Sequence, residues 1–490
     1  MVAEDFQKKL NCLILKSNSL LKGLQWSFLE KFSVVGIQII LEIILARLLL
    51  PVDYGVLGMI MVVVAFANVF IDGGISSALI HYQDRDQFDY AVVFYSSVGI
   101  GIMSYILIYF CAPYLSEFYR TDLTLYIRVI ALSVLFNSVG ILYRAKLSIR
   151  MDFKKQTFFS LIAVVISGIV AIGLAFLDKG VWALIVQLII YSTLLNMFLL
   201  LNDRTIPPFV FRRHSVERIF NFGSKIFFSS VLHALYVNAF PLLLGKFYNS
   251  KTVGLYTKSN QISTYPAGMF AATFQRVLFP YLVTFQNDTN KIFNFNLQFV
   301  KIFSLIAFPI VIWIFYYAHP IIIFLFSSSW EEMVMPFRFL LLSSALFPII
   351  IMNMNIYQVT GKVNGYLFAE VASKCVGIVI LLLLFKYGFF YVCLGIFIQF
   401  FLQFVYTSIS SSLLLDAPLF KQFLEVLKPM FLNTCILLLT ISSQEIFSNG
   451  FVSLITLLIG TFAYFFLVRI MYQNDYISVV NLIRSKITKG

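Results

Sequence analysis

The feature that most constrains this chain is its succession of long apolar stretches. Every residue from Tyr54 to Ile71 is uncharged, and similar stretches follow along the chain. Crossing the hydrocarbon core of a bilayer, which is about 30 Å thick, takes about 20 apolar residues in a helix. On that scale the sequence predicts about fourteen membrane-spanning helices. Their predicted ranges are 24–49, 55–80, 89–112, 123–147, 157–177, 180–202, 219–244, 254–285, 295–326, 332–357, 364–386, 388–414, 420–442 and 449–472.

Composition supports an all-α polytopic membrane protein. Of the 490 residues, 60% are hydrophobic and 12% are charged, whereas soluble domains are about 45–50% apolar and about 25% charged. The predicted connections are short, and the longest lies near 203–218. No soluble domain is therefore available to bind nucleic acid, and the net charge of +13 is better explained by basic residues in cytoplasmic loops.

The distribution of Lys and Arg predicts the orientation. One side of the predicted membrane holds most of the basic loop residues, including those of 144–155, 204–218, 421–428 and 484–489, whereas the other side has few. The positive-inside rule then places both termini in the cytoplasm. Residues 1–23 have acids before their lysines and a broken apolar core, which is typical of a cytosolic leader rather than a signal peptide. We therefore expect a multi-pass membrane protein with cytoplasmic termini.

Cysteine and histidine give no sign of a metal site. The five cysteines have no CxxC spacing, and the four histidines form no HExxH or similar cluster. Buried structural thiols are the better interpretation. No metal and no cofactor are expected.

Two pairs of segments indicate an internal repeat. The segment "LARLLLPVDYGVL" from Leu45 aligns without a gap on "LGKFYNSKTVGLY" from Leu244, which pairs Gly55 with Gly254, and "GIVAIGLAF" aligns on "GIVILLLLF" in the same order. Parallel repeats of this kind typically build transporters with a site between the halves. The predicted organisation is a leader (1–23), an N-lobe of six helices (24–202), a linker (203–218), a C-lobe of six helices (219–414), and two further helices with a tail (415–490).

Polar residues inside the predicted spans are the candidate binding groups. In the first span Ser27, Lys31, Gln38 and Glu42 form one stripe at helical spacing. In the eighth span a polar face runs from Lys258 through Gln261 to Arg276. This face indicates a water-filled cavity, with close helix packing as the alternative.

Two further spans carry charged residues. Lys225 lies on one face of the seventh span. Glu370 and Lys374 in the eleventh span are spaced i, i+4 with the acid first, which favours a mutually neutralising pair. The interior cations Lys31, Lys225, Lys258 and Arg276 together favour an anionic cargo such as a phosphate or diphosphate.

Asp72 is the carboxylate that interrupts the second span, in "FIDGGISSALIH". A charge inside the membrane costs about 2.5–3.5 kcal/mol by insertion scales, so we expect a partner such as Lys31. Gly73 and Gly74 would let a neighbouring helix approach closely, and Ser76 can hydrogen-bond across the motif. Two interpretations stay open for Asp72: a structural contact that holds two helices together, and an ion-coupling group. The same two interpretations stay open for Glu42 and Glu370.

Several of these segments resemble a known family. "FIDGGISSALIHYQD", "GKFYNSKTVGLYTKSNQISTYP", "RVLFPYLVTFQND" and "KGVWALIVQ" are similar to motifs of Wzx-type polysaccharide and O-antigen flippases, closest to the WzxC-like branch of the multidrug/oligosaccharidyl-lipid/polysaccharide exporter superfamily. The resemblance implies two lobes around a central cavity. It also implies transport of a polyprenyl-diphosphate-linked oligosaccharide from the cytoplasmic to the outer leaflet of the bacterial inner membrane. It implies Lys31 and Arg276 near a lateral opening, with membrane lipids, a polysaccharide polymerase and chain-length machinery as further partners.

Two other functions compete with the flippase. A glycan polymerase or ligase would need a long outer loop carrying catalytic residues, and the predicted loops are too short. A small-molecule antiporter of the same superfamily would favour interior acids for cationic drugs, whereas interior cations prevail here. Coupling to a proton or to Na⁺ stays open.

Overall fold

The computed structural model of the protein describes residues 36–446 except 284 and 287, together with residues 460 and 464. These residues form α-helices, two short 3₁₀ helices and turns, without any strand among them. The prediction of an all-α fold is therefore confirmed. Ten of the described helical segments are long and apolar enough to cross a membrane.

The helices follow the predicted spans closely. The first thirteen predicted spans each overlap one helix or one broken helix, and the fourteenth, like the leader and the tail, lies outside the described residues apart from positions 460 and 464. The helices are α1 (36–48), α2 (Pro51–Asp72), α3 (Ile75–His81), α4 (Gln87–Tyr119), α5 (Thr124–Ile130), α6 (Leu132–Ile149), α7 (Phe153–Phe176), α8 (Val181–Asn202), α9 (Arg213–Phe247), α10 (Ser250–Val283), α11 (Thr289–Tyr316), α12 (Ala318–Phe326), α13 (Val334–Val359), α14 (Val363–Leu384), α15 (Phe389–Leu414) and α16 (Lys421–Ile446). Ser328–Met333 and Phe385–Tyr387 are 3₁₀ helices.

The chain divides into two compact units. The first runs to Lys258 and also includes Ile323–Glu332, whereas the second contains Ser259–Ile322 and the chain from Met333 onward. In the first unit α7 packs on α8 and α4 packs on α6. Small buried residues on α7, such as Ala163, Ser167 and Ala171, allow this close helix packing.

The Gly73–Gly74 pair breaks the second predicted span into α2 and α3. Both residues have the left-handed conformation, with φ of +50° and +72°, which costs glycine little. A Cβ on Gly74 would lie 2.5 Å from the carbonyl oxygen of Gly223 in α9. The predicted close approach of a neighbouring helix is therefore confirmed, and the same glycine pair explains why the helix breaks there.

The repeat-related glycines contact each other where α2 and α10 begin, within the first unit. A Cβ on Gly55 would lie 1.5 Å from the carbonyl oxygen of Ser250, and a Cβ on Gly254 would lie 1.9 Å from that of Pro51. The repeat alignment pairs Pro51 with Ser250 as well as Gly55 with Gly254. Gly55 thus contacts Ser250, and Gly254 contacts Pro51, the residue that the alignment pairs with Ser250. This reciprocal pattern is typical of a twofold contact and supports the internal repeat.

The second unit is held by packing of α13 on α15 and of α11 on α16. A buried polar network crosses three of these helices: Asn296 Nδ2 donates to Asn353 Oδ1 at 3.0 Å, and Asn353 Nδ2 donates to Ser408 Oγ at 3.2 Å. Buried amide networks of this kind fix the mutual register of helices.

Candidate functional site

A polar cavity of about 390 Å³ lies between α2, α3 and α6 in the first unit. Its polar lining comes from residues on one face of each helix. These are Asn68, Asp72, Ser76, Asn137, Arg144 and Ser148. Opposite charges therefore share one cavity with amide and hydroxyl groups.

Asp72 reaches this cavity because the helix ends there. It is the last residue of α2, directly before the Gly73–Gly74 break. Its carboxylate accepts a hydrogen bond of 2.5 Å from Ser76 Oγ on α3. The bond joins the two parts of the broken helix, so the structure gives Asp72 a structural contact as well as access to the cavity.

Asn137 organises the opposite wall. Its Nδ2 donates to Asn68 Oδ1 at 3.3 Å, and its Oδ1 accepts from Ser192 Oγ at 2.9 Å and from Asn196 Nδ2 at 3.2 Å. Its backbone carbonyl accepts a hydrogen bond of 3.1 Å from Arg144 Nη2. The network fixes the amide and the guanidinium before any ligand arrives.

The arrangement suits recognition of an anion beside a titratable acid. A guanidinium is always charged and its planar donors match the oxygens of a phosphate. An ionisable carboxylate within a membrane span is by default a functional candidate. Among the described residues no three His, Cys, Asp or Glu side chains are grouped as metal ligands.

Sequence reasoning missed Arg144 as a site residue because it counted the residue as a loop cation. The signal was present as helical spacing. Asn68, Asp72 and Ser76 follow steps of four residues, and Asn137, Arg144 and Ser148 follow steps of seven and four. Both spacings are those of residues on one face of a helix, and the first set continues from α2 across the break onto α3.

Lys258 lies in a second charged cluster of the first unit. Its side chain is 1% exposed and forms an ion pair with Glu42 of α1. The ammonium also lies 4.3 Å from the ring centroid of Tyr54, and the Tyr54 ring packs edge-on against Trp330 at 5.3 Å. Trp330 Nε1 donates to the carbonyl of Ala46 at 2.8 Å. The ammonium is neutralised here, and its role as a substrate-binding cation stays a prediction.

The other predicted site residues are dispersed or not described. Lys225 on α9 is exposed and Gln38 on α1 is half-buried. In the second unit Gln261 Nε2 donates to Tyr265 Oη at 2.6 Å, and Lys374 Nζ lies 2.8 Å from Glu370 Oε1. Lys31 lies outside the described residues, as does the side chain of Arg276.

The fold and the cavity together define a polytopic, all-α membrane protein with a polar, charged interior. A family model described as "Polysaccharide biosynthesis protein" matches residues 44–335. The chain belongs to this polysaccharide biosynthesis family, and the resemblance seen in its motifs is confirmed.

Two curated relatives agree with the family. The chain is 23% identical over 310 residues to the succinoglycan biosynthesis transport protein ExoT of Rhizobium meliloti (strain 1021), covering 63% of each chain. It is 20% identical over 317 residues to the lipopolysaccharide biosynthesis protein WzxC of Escherichia coli (strain K12), covering 64% of each. The chain thus matches somewhat less than two thirds of the length of either relative.

A solved structure has the same fold. The lipid II flippase MurJ, in an inward closed conformation, superposes with a TM-score of 0.70 at 16% identity, covering 94% of this chain and 99% of that one. At this identity the likeness concerns the fold alone.

Proposed function

We propose that the protein is a flippase that moves polyprenyl-diphosphate-linked oligosaccharide units across the bacterial inner membrane by alternating access, and that it is not an enzyme. The product would serve synthesis of lipopolysaccharide O-antigen, capsule or exopolysaccharide. The observation that carries the proposal is the family match over 44–335, since this range contains both walls of the Asp72–Arg144 cavity. The transport function in the name of one relative and the flippase fold of MurJ support it.

In this proposal one group of residues recognises the cargo, and another couples transport to an ion. Arg144 recognises the diphosphate from the cavity of the first unit. Lys31, Lys225 and Arg276 stay predicted substrate-binding cations. Lys258 joins them when its ion pair with Glu42 opens. Both termini lie in the cytoplasm, and the lipid tail stays in the bilayer while the headgroup crosses. A polysaccharide polymerase and chain-length machinery receive the product.

Asp72 is the group we propose for coupling to a proton or to Na⁺. It lines the same cavity as Arg144, so a change in its charge alters the potential at the anion site. Asp72→Asn should remove the dependence of transport on the coupling ion while leaving the helix break intact, because an amide oxygen can still accept the bond from Ser76. Unchanged ion dependence of the variant would exclude this role.

Arg144 provides the test of the cargo site. In a deletion strain, complementation by Arg144→Ala should lower export of the glycan roughly ten- to hundredfold, since a hydrogen bond to a charged group contributes about 1.5–3 kcal/mol. Arg144→Lys should retain part of the activity because it keeps the charge. Arg150→Ala is the matched control, since Arg150 is exposed, does not line this cavity and has its Nη2 atom 3.5 Å from Asp203 Oδ2. Wild-type export by Arg144→Ala at equal membrane levels contradicts the assignment.

A further inference from the structure

A second cavity, of about 520 Å³, lies in the second unit between α11, α16 and the turn before α11. None of the predicted site residues that the structure describes lines it. Its charged lining consists of Lys291, Lys301, Lys421 and Glu425, and Phe285 and Phe295 supply apolar walls. The charge of the lining is therefore two units positive, from three lysines and one glutamate.

The positive charge is concentrated where α16 begins. Lys421 is the first residue of that helix and is exposed; no hydrogen bond or ion pair of its ammonium occurs within the described residues. The positive end of the macrodipole of α16 adds to the attraction for an anion. Lys291, on the facing wall, lies 2.9 Å from Asp288, which orients its ammonium at the rim.

Glu425 adds a different requirement. Its side chain is buried, with 9% of the residue exposed, and its Oε2 atom has no hydrogen-bond partner among the residues that the structure describes. Its Oε1 atom lies 3.6 Å from Lys428 Nζ. A buried carboxylate oxygen without a donor is costly. A ligand of this cavity should thus carry a hydrogen-bond donor beside its anionic group.

The neighbouring face of α16 is apolar and exposed. The exposed fractions are 73% for Phe420, directly before the helix, and 49%, 56% and 75% for Leu424, Leu427 and Phe431 within it. Their spacing of four, three and four residues puts them on one side of the helix. Lys421 flanks this stripe. In a protein of this class such a stripe faces acyl chains, so the cavity lies beside the lipid at the helix start rather than in open water.

We propose that this cavity binds the headgroup of a phosphatidylglycerol molecule. The phosphodiester lies among Lys291, Lys301 and Lys421, a glycerol hydroxyl donates to Glu425 Oε2, and an acyl chain follows the apolar stripe of α16. Lys421 and Lys428 belong to the side predicted to be cytoplasmic, so the lipid comes from the inner leaflet. The site is distinct from the cargo cavity of the first unit.

Lipid binding to the full-length protein in detergent, followed by native mass spectrometry, tests the proposal. Phosphatidylglycerol should be retained more strongly than phosphatidylcholine, which lacks both the net charge and the donor. Lys421→Gln should weaken retention of phosphatidylglycerol about fivefold, the effect of one basic residue at an anionic lipid surface. Lys386→Gln, an exposed lysine outside the cavity, is the matched control and should change nothing.

Glu425→Gln provides a change of opposite sign. The amide keeps an acceptor for the hydroxyl but removes the negative charge beside the phosphate, so retention should become stronger. Equal retention of the two lipids, equal behaviour of the two lysine variants, or weaker retention by Glu425→Gln overturns the proposal. Displacement of the lipid by an equal concentration of inorganic phosphate would assign the cavity to a free anion instead, and also overturns it.

Discussion

At Gly74 a single added methyl group has two separate costs. The residue has φ of +72°, and a residue with a Cβ loses about 1–2 kcal/mol in this left-handed conformation. The new Cβ would also lie 2.5 Å from the carbonyl oxygen of Gly223 and 2.9 Å from the Cβ of Ile226. Moving α3 away from α9 to relieve such overpacking costs about 1–3 kcal/mol. Gly74→Ala should therefore lower the free energy of unfolding by about 2–5 kcal/mol.

Two other glycines separate these costs. Gly361 has nearly the same φ, +73°, but beyond its chain neighbours no atom of the described residues lies within 4 Å of its added Cβ. Gly361→Ala should therefore lose only the conformational part, about 1–2 kcal/mol. Gly173 is helical with equally open space, so Gly173→Ala should gain about 0.5–1 kcal/mol. Unfolding of the detergent-solubilised protein in increasing denaturant, followed by tryptophan fluorescence, gives all three values. A loss at Gly74 no larger than that at Gly361 would refute the close helix contact.

Three further results are expected in the same unfolding assay. Glu42→Gln leaves the buried Lys258 ammonium without its counter-charge and should lower the free energy of unfolding by about 3–5 kcal/mol. Adding Lys258→Met should restore most of this loss. A double variant no more stable than Glu42→Gln alone would contradict the ion pair. Gly254→Ala should be strongly destabilising, because its Cβ would lie 1.9 Å from a backbone oxygen. A gain in stability like that of Gly173→Ala would contradict the close contact between α2 and α10. The hydrogen bond from Arg218 holds the pKa of Asp84 below its ordinary 3.8, so the stability from this pair is present above pH 3.8 and is lost as the pH falls below it. Asp84→Asn removes this carboxylate and keeps the ion pair of Arg218 with the buried Asp89, so it should lessen the acid sensitivity. An unchanged acid midpoint of the variant would argue against the Asp84 pair.

The sequence predicts the helices well because the bilayer imposes a simple rule. A span needs about 20 apolar residues whatever its neighbours are, so the described helices coincide with the predicted ranges. The Gly73–Gly74 pair and the Gly55–Gly254 match were also visible, since glycine is the residue that permits left-handed backbone and close contact. These features depend on local chemistry or on repetition, both of which a single sequence contains.

The candidate site was harder to predict because it depends on which helices are neighbours. Arg144 resembles any basic residue near a helix end, and its place beside Asp72 follows only from the packing of α6 against α2 and α3. Lys258 was recognised as an interior cation, but its pairing with Glu42 joins residues that are far apart in the chain. Long-range partners of buried charges are set by tertiary packing, which spacing along one helix does not reveal.

The sidedness of the lipid-linked glycan tests the flippase proposal most directly. In spheroplasts of a deletion strain, an impermeant reagent that labels sugars should leave the accumulated lipid-linked units unlabelled, because they stay on the cytoplasmic leaflet. Mass spectrometry of the extracted lipids would identify these units, and expression of the wild-type chain should make them accessible to the reagent. Lipid-linked units that are fully labelled in the absence of the protein would contradict the proposed function.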